Sequence, residues 1–506
     1  MTDAGEWVFR GLIEGFYGPP WSWEARAEIM RWCHERGMTH YLYAPKDDPL
    51  HRERWRELYP AETLGSFEVL VAERTLDVGF AISPGLSIDY GAADDRVALA
   101  AKCDQLVERG VRLVCLALDD IPMQPGLGPA HAELTVWLRD HLGDRADLVL
   151  VPTEYTGVAS STYLDALAAG VPEDVPIAWT GVTVVCDSIS ADDARARAAA
   201  LGGRRPFLWD NYPVNDAIMR DRLFLGPLRG RHTDLGPECS GYLANPMVEP
   251  MSSKPALASI ASYLRGEAPE EGWRHAVEAM GIRVFAEACD GEVPNRLVDE
   301  VVATSTTPDW VGPLAALTTW LRAAARGGAP GLETEAGPWI EQMHQEAQVG
   351  LAAARVLQAI HPVVTVDDDG VGRAAAADNR SAVEQALAIS MLWPAARRGA
   401  VSVMGPRSSF RPVLGQWPDG EWRYRGASLQ EDTNAIDRLV RFASEQLDRF
   451  ERDRSVTVAV DHRPVDLDDG TFAAAAGAEV MVTSGPSSTR VTAPCATPLK
   501  DRRFGV

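Results

Sequence analysis

Cysteine pairing is missing from this chain. The seven cysteines, at 33, 103, 115, 186, 239, 289 and 495, are scattered singly, with no CxxC and no metal-ligand spacing. That excludes a sequence-level disulfide framework or structural zinc site, and the apolar patterns around Cys33, Cys103 and Cys115 mark them as reduced core thiols. Long apolar runs are absent too, and none approaches a bilayer span. The opening Met1-Thr2-Asp3-Ala4-Gly5-Glu6 has no apolar segment of the kind a secretory signal carries. Positive charge is scarce: 49 Lys and Arg stand against 72 Asp and Glu, a net charge of −23. A field of that sign opposes nucleic-acid binding through phosphates and favours a neutral or cationic partner. No GxGxxG, P-loop, GxSxG or HExxH pattern occurs, and histidines 34, 40, 51, 131, 141 and 232 share no helical spacing. No internal repeat is found. The expectation is a cytoplasmic protein with no metal and no cofactor, not bound to nucleic acid or membrane, its oligomeric state left open.

What is present starts at residues 111–118, an apolar run that ends in Asp119-Asp120-Ile121-Pro122. Such continuity suits a strand covered on both faces, surfacing at a rim where it presents two carboxylates. Asp-Asp pairs also occur at 47–48, 94–95 and 192–193, so the pair alone is equally a surface turn. Around it the first half alternates strand and helix. Strands are predicted at 7–13, 40–44, 78–82, 111–118, 148–151, 176–178, 206–208 and 241–244, and helices at 23–36, 66–75, 94–109, 130–142 and 191–201. Eight β units with helices between most of them predict an α/β fold, a (β/α)8 TIM-type barrel over residues 1–265. From about residue 264 strand-like runs give way to helical stretches at 273–280, 333–360, 382–393 and 434–452, broken at 361–372 and 405–426. This predicts an α-helical bundle over 266–454. Residues 455–506 read as a small β-like or partly disordered tail, with strand-like runs at 456–460 and 478–482.

Nearly every predicted barrel strand finishes on a polar or aromatic group, where a barrel builds its site. Lys46 follows Ala44-Pro45; Tyr17 and Tyr155 end other strands; Trp209-Asp210-Asn211 combines an indole platform with a carboxylate and an amide. Sugars suit such a set, stacking ring faces on indoles and spreading hydroxyls over amides and carboxylates. By spacing alone Lys46 is as well a solvated loop charge, the tyrosines core residues, and Asn245 before Pro246 a turn initiator.

Taken together, the motifs carry a resemblance. Gly11-Leu12-Ile13-Glu14-Gly15-Phe16-Tyr17-Gly18-Pro19-Pro20-Trp21, Tyr41-Leu42-Tyr43-Ala44-Pro45-Lys46-Asp47-Asp48, Ala81-Ile82-Ser83-Pro84-Gly85-Leu86 and Leu118-Asp119-Asp120-Ile121 occur in order, followed by Pro152-Thr153-Glu154-Tyr155, Trp179-Thr180-Gly181, Trp209-Asp210-Asn211 and Asn245-Pro246-Met247. Over about residues 8–265 the chain resembles glycoside hydrolase family 84, the O-GlcNAcase (β-N-acetylglucosaminidase) family. The resemblance implies a retaining exo-hydrolase of terminal β-linked GlcNAc, on a glycoside, glycoprotein or glycopeptide. Its nucleophile is the substrate's own acetamido oxygen, closing an oxazoline. It implies that Asp119 orients the acetamido N–H, that Asp120 is general acid and then base, and that Tyr155 donates toward the acetamido oxygen. Gly15, Lys46, Asn211, Asp216 and Asn245 then bind hydroxyls, Trp179, Thr180, Val184 and Trp209 line the acetamido pocket, and Tyr17 sits beside the site. Pro20 and Tyr212-Pro213-Val214 depart from the family pattern without touching this chemistry. Two alternatives stay open: a retaining glycosidase with an enzyme nucleophile such as Glu154, and a non-hydrolytic GlcNAc-binding or scaffold protein.

Overall fold

The computed structural model describes residues 7, 9–304, 309–361, 363–366, 371–375, 379–405, 409–416, 422–430, 434–452, 456–465, 471–484 and 487–493. Two compact units divide the chain: Met1–Arg283 with Ala329–Ala336 and Phe410–Leu429, and Val284–Gly328 with Gly337–Ser409 and Gln430–Val506.

The first unit is built on eight parallel strands: β1 (Phe9–Glu14), β2 (His40–Tyr43), β3 (Asp77–Ile82), β4 (Leu113–Ala117), β5 (Asp147–Val151), β6 (Ala178–Trp179), β7 (Phe207–Asp210) and β8 (Gly241–Ala244). Their order is β5-β4-β3-β2-β1-β8-β7-β6, and the last seam closes through a parallel bridge between Leu150 and Ile177. This is a (β/α)8 barrel, with α1 (Trp23–His34), α2 (Ala61–Ala72), α3 (Ala93–Val107), α4 (Leu127–Leu142), α5 (Thr162–Gly170), α6 (Ala191–Ala200) and α7 (Pro250–Leu264) between and after the strands. Local chemistry sets the helix ends. The Ser22 hydroxyl accepts from the Ala25 N–H at 3.2 Å and starts α1, which gives way to Gly37 at φ +82°. Between β7 and β8 there is no α-helix, only the single 3-10 turns Ala217–Met219 and Gly236–Glu238.

Strand periodicity divides the core in two. Ile13, Leu42, Ala44, Ala81, Leu113, Cys115, Ala117, Val149, Val151, Ala178, Phe207, Trp209 and Leu243 fill the barrel interior. Their neighbours Leu12, Tyr41, Phe80, Val114, Leu116, Leu150, Leu208 and Tyr242 join the larger layer under the helices. Both faces of β4 are therefore buried, as its unbroken apolar run requires. Cys33, Cys103 and Cys115 are buried thiols; Cys495 and residues 1–6 lie outside the described residues.

Past the barrel come α8 (Pro269–Ala279), α9 (Arg283–Asp290), α10 (Glu292–Thr304), α11 (Val311–Ala324), α12 (Glu333–Ala359), α13 (Asn379–Ala396) and α14 (Ala435–Arg452). Strands do not vanish after residue 264, as the sequence led us to expect. β9 (Val363–Val366) pairs antiparallel with β10 (Val371–Ala375), with Ala375 opposite Val363; β11 (Ser409–Gln416) pairs with β12 (Trp422–Gln430). The β-branched run Val363-Val364-Thr365-Val366 favours a strand, but Asp367-Asp368-Asp369-Gly370 beside it reads as a break, and 367–370 lie outside the described residues. Of the tail, β13 (Val456–Val460), β14 (Arg463–Val465), β16 (Glu479–Ser484) and β17 (Ser487–Thr492) form a sheet in the order β14-β13-β16-β17, while β15 (Thr471–Ala473) pairs with β10. Among the described residues no helix is long and apolar enough to cross a membrane.

Candidate active site

The inward rows of the barrel continue past the strand ends. Two residues beyond Ile13, Ala44, Ala117, Ala178, Trp209 and Leu243 stand Gly15, Lys46, Asp119, Thr180, Asn211 and Asn245. Period two thus assigns six of the predicted site residues to one mouth before any loop is considered. Hydrogen bonds link five of them in two groups. Lys46 Nζ donates to Asp119 Oδ2 and lies 4.0 Å from Asp120 Oδ2; it also stands 5.8 Å from the centre of the Trp209 ring. The Gly15 N–H donates to Asn245 Oδ1 at 3.2 Å, and Asn245 Nδ2 donates to Asn211 Oδ1 at 2.9 Å. Asn211 Oδ1 also accepts from Trp209 Nε1 at 3.0 Å, and Asn211 Nδ2 donates to the Val184 carbonyl at 2.7 Å. Gly15 has to be glycine, because a Cβ there would fall 2.3 Å from Trp209 Cζ2.

Asp120 departs from the row. Its φ of +53° puts it in the left-handed region, off the alternation of the strand that precedes it. Tyr17 and Tyr155 hold it there: their hydroxyls donate to Asp120 Oδ2 at 2.7 Å and Oδ1 at 2.8 Å. Tyr17 is itself placed by its N–H, which donates to Asp216 Oδ2 at 2.8 Å. Asp119 contrasts with this: it is 5% exposed, and its Oδ1 is buried without a hydrogen-bond partner among the described residues. A buried carboxylate oxygen left unpaired is costly, so it marks a place where an N–H or O–H from outside the chain would be held.

Burial pushes the Asp120 carboxyl up, but the Lys46 ammonium, the two tyrosine hydroxyls and the Arg52 guanidinium together hold it below the usual carboxylate range. Burial, with Asp120 as the next cause, raises both Tyr17 and Tyr155, so both remain protonated donors. Burial also raises Asp216, against the Tyr17 N–H and nearby cations.

One expected residue lies elsewhere. Trp179 follows the inward Ala178, so its parity is outward; it is fully buried in the layer under the helices, and its indole N–H donates to the Gly157 carbonyl at 2.9 Å. Thr180 returns to the mouth, its N–H bonded to the Tyr155 carbonyl at 2.9 Å. Glu154 stands outside the Lys46–Asp119–Asp120 cluster, with its Oε2 accepting from the Ser161 hydroxyl at 2.5 Å. The loop carrying Val184 is fastened by Arg231, whose Nη1 donates to the Cys186 carbonyl at 3.1 Å while Nε and Nη2 grip Asp210 at 2.7 and 2.6 Å. Neither Arg231 nor Arg52, which reaches Asp120 from the loop after β2, is legible as a site residue in the sequence; both are loop cations whose burial arises only on folding. Among the described residues no group of three or more His, Cys, Asp or Glu side chains is placed to hold a metal ion.

Comparison with known proteins agrees with this geometry. The family described as NAGidase, beta-N-acetylglucosaminidase, matches residues 10–290. The curated proteins named Protein O-GlcNAcase from Rattus norvegicus and Mus musculus are each 33% identical over 273 residues. That alignment covers 50% of this chain and 30% of each relative, so the chain spans about a third of their length. Among solved structures, a mutant O-GlcNAc hydrolase from Thermobaculum terrenum superposes with a TM-score of 0.70 at 23% identity, covering 88% of this chain and 94% of the other. CpGH84B gives 0.71 at 24% identity, covering 86% and 77%. These two establish a shared fold. The family match spans more than half of the chain and includes both strand-end aspartates, the lysine and the asparagine pair at the barrel mouth, and on that basis the chain belongs to the β-N-acetylglucosaminidase family.

Proposed function

We propose that this chain hydrolyses terminal β-linked N-acetylglucosamine with retention, using the substrate's acetamide as nucleophile. The observation that carries the reading is the pair of neighbouring carboxylates in unlike settings: Asp119 offers a buried, unpartnered oxygen, while Asp120 faces two phenolic hydroxyls. In the first step Asp119 accepts the acetamido N–H, which aims the acetamido oxygen at the anomeric carbon. As that oxygen forms its bond to the carbon, the glycosidic C–O bond breaks and Asp120 passes its proton to the leaving oxygen. In the second, the Asp120 carboxylate takes a proton from water, the water oxygen attacks the anomeric carbon, and the oxazoline reopens. Asn211, Asn245, Asp216 and Lys46 supply hydroxyl partners, Gly15 does so through its carbonyl, and Trp209, Thr180 and Val184 enclose the methyl group.

An acid held below its ordinary range needs a reason to be protonated when it acts. Tyr155 supplies one: to reach the acetamido oxygen its hydroxyl has to leave Asp120, and losing a donor to the charged form raises that carboxyl's proton affinity. Substrate entry thereby favours the protonated acid. The names of the mammalian relatives favour protein-linked GlcNAc as substrate.

The test is a series of aryl β-GlcNAc substrates with graded leaving groups. Asp120→Ala is expected to lose on the order of a hundredfold or more in kcat/KM with poor leaving groups and progressively less as the phenol becomes more acidic. A uniform loss, or none, would contradict the assignment.

A further inference from the structure

Asp120 occupies a backbone conformation that residues other than glycine rarely adopt, with φ at +53°. Such a bend persists only where its surroundings over-determine it. Tyr17 and Tyr155 hold the side chain. The main chain just before the bend is tied down at Leu118, whose N–H donates to the Val151 carbonyl at 2.8 Å and whose carbonyl accepts from the Thr153 hydroxyl at 2.7 Å. At the bend itself, the Asp120 carbonyl accepts from Arg52 Nη2 at 3.1 Å.

Arg52 is an unusual donor for that task. It is 7% exposed, and a buried guanidinium ordinarily sits on a carboxylate. Here it holds a backbone carbonyl, and its Nη1 is buried without a hydrogen-bond partner among the described residues. Its loop is pinned to the barrel. Asp48 accepts from the hydroxyls of Tyr43 and Tyr59 at 2.8 and 2.6 Å and from the Leu50 N–H at 2.9 Å. His51 Nδ1 bonds the Ala81 carbonyl at 2.8 Å, and the Ser83 N–H donates to the His51 carbonyl at 3.0 Å. Burial, then Lys46, pushes His51 down to about 3, which keeps it neutral beside these cations. The loop is thus a rigid bracket on the ends of β2 and β3, carrying one cation to each aspartate: Lys46 to Asp119 and Arg52 to Asp120.

We propose that Arg52 is the positioning residue of Asp120, fixing the left-handed bend that aims the acid at the leaving oxygen. This rests on the reading of Asp120 given under Proposed function. It deepens that reading by naming what separates two adjacent carboxylates that have different tasks. Arg52 also contributes charge. The groups that face Asp120 are Lys46 and Arg52 from the loop after β2, Tyr17 after β1, Tyr155 after β5, Asp216 after β7 and its own neighbour Asp119. Removing one of the two cations weakens the hold on the charged carboxylate, so the alkaline limb of kcat/KM, where the free enzyme loses its acid, moves to higher pH.

The experiment repeats the leaving-group series and pH profiles on Arg52→Gln and Arg52→Lys, beside wild type and Asp120→Ala. Arg52→Gln is expected to lose about tenfold or more with the poorest leaving group and less than about twofold with the most acidic phenol, with its alkaline limb moved up. Arg52→Lys keeps the charge and loses the planar fork; its limb stays near the wild-type position while poor leaving groups still lose more than good ones. Equal loss across the series, or no loss, in either variant overturns the proposal, as does an unmoved limb in Arg52→Gln. Should Arg52→Gln fail to fold, the series on Arg52→Lys decides by the same criterion. If Asp120→Ala shows no leaving-group dependence, the assignment of the acid falls and this inference with it. If Asp120→Ala shows it and the Arg52 variants do not, only the inference falls.

Discussion

Asp119 and Asp120 are adjacent in sequence and differ in almost everything that governs a carboxylate. One continues the inward row of β4 and keeps a buried oxygen without a partner among the described residues; the other breaks the row and takes two hydroxyls. Tyr155 links their behaviour, and its removal has a definite sign. Its hydroxyl donates to the charged form of Asp120 and so lowers the carboxyl. In Tyr155→Phe the carboxyl should rise, and the alkaline limb of kcat/KM, read from a pH–rate profile, should move to higher pH. On the proposed mechanism the same variant should lose on the order of a hundredfold in kcat, because it would lack a donor to the acetamido oxygen. A limb that stays put or moves down would separate Tyr155 from Asp120. At this scale much of the cluster was legible, because adding two to an inward strand residue is arithmetic: Ala44 leads to Lys46, Trp209 to Asn211, Leu243 to Asn245. The same arithmetic, applied to Ala178, sends Trp179 outward. What no pattern disclosed was the positive φ of Asp120 or the burial of Arg52, since both follow from how a loop folds back over a strand end.

The elements hold the mouth through buried ion pairs outside it. Arg231 and Asp210 expose only 3% and 1% of their side chains, and the Tyr242 hydroxyl donates to the same carboxylate at 2.5 Å. Through this pair the loop after β6 hangs on the end of β7, close approach being possible because Gly230, at φ +70°, has no Cβ; one there would lie 1.9 Å from the Asp187 carbonyl oxygen. Arg231→Met leaves a buried carboxylate uncompensated and should cost about 3–5 kcal/mol, seen as a lower urea midpoint. Replacing Asp210 as well, with leucine, should recover most of that loss; no recovery would mean the pair is not the source. Glu14 and Arg26 form a like pair, 0% and 3% exposed, behind the loop that carries Gly15 and Tyr17. Element by element, the eight strands were readable because each is a short apolar run ending in polar or aromatic residues. α5 escaped because nine residues, Thr162–Gly170, give too few turns for a clear helical period. β9 escaped because three aspartates follow it and outweigh four residues of β-branched pattern.

Across the whole chain the net charge is −23, while Lys46 and Arg52 are buried cations at the end of β2. Those cations are directed at carboxylates and a carbonyl, so they organise the site without making it a general anion trap. The barrel and the change to helix after it could be read from periodicity. How the second unit's strands pair could not, since β10 takes partners from opposite sides of α13 and α14 in sequence, β9 and β15. The central claim, however, concerns the substrate as much as the chain: the bond to the anomeric carbon is made by the acetamido oxygen. The measurement that reaches it most directly is kcat/KM for one aryl glycoside whose N-acetyl group carries no, one, two or three fluorines. If the acetamide is the nucleophile, each fluorine drains its oxygen and the rate should fall stepwise, by about a thousandfold or more across the series. A rate indifferent to fluorine, with a glycosyl group found bonded to the protein, would place the nucleophile on the enzyme instead.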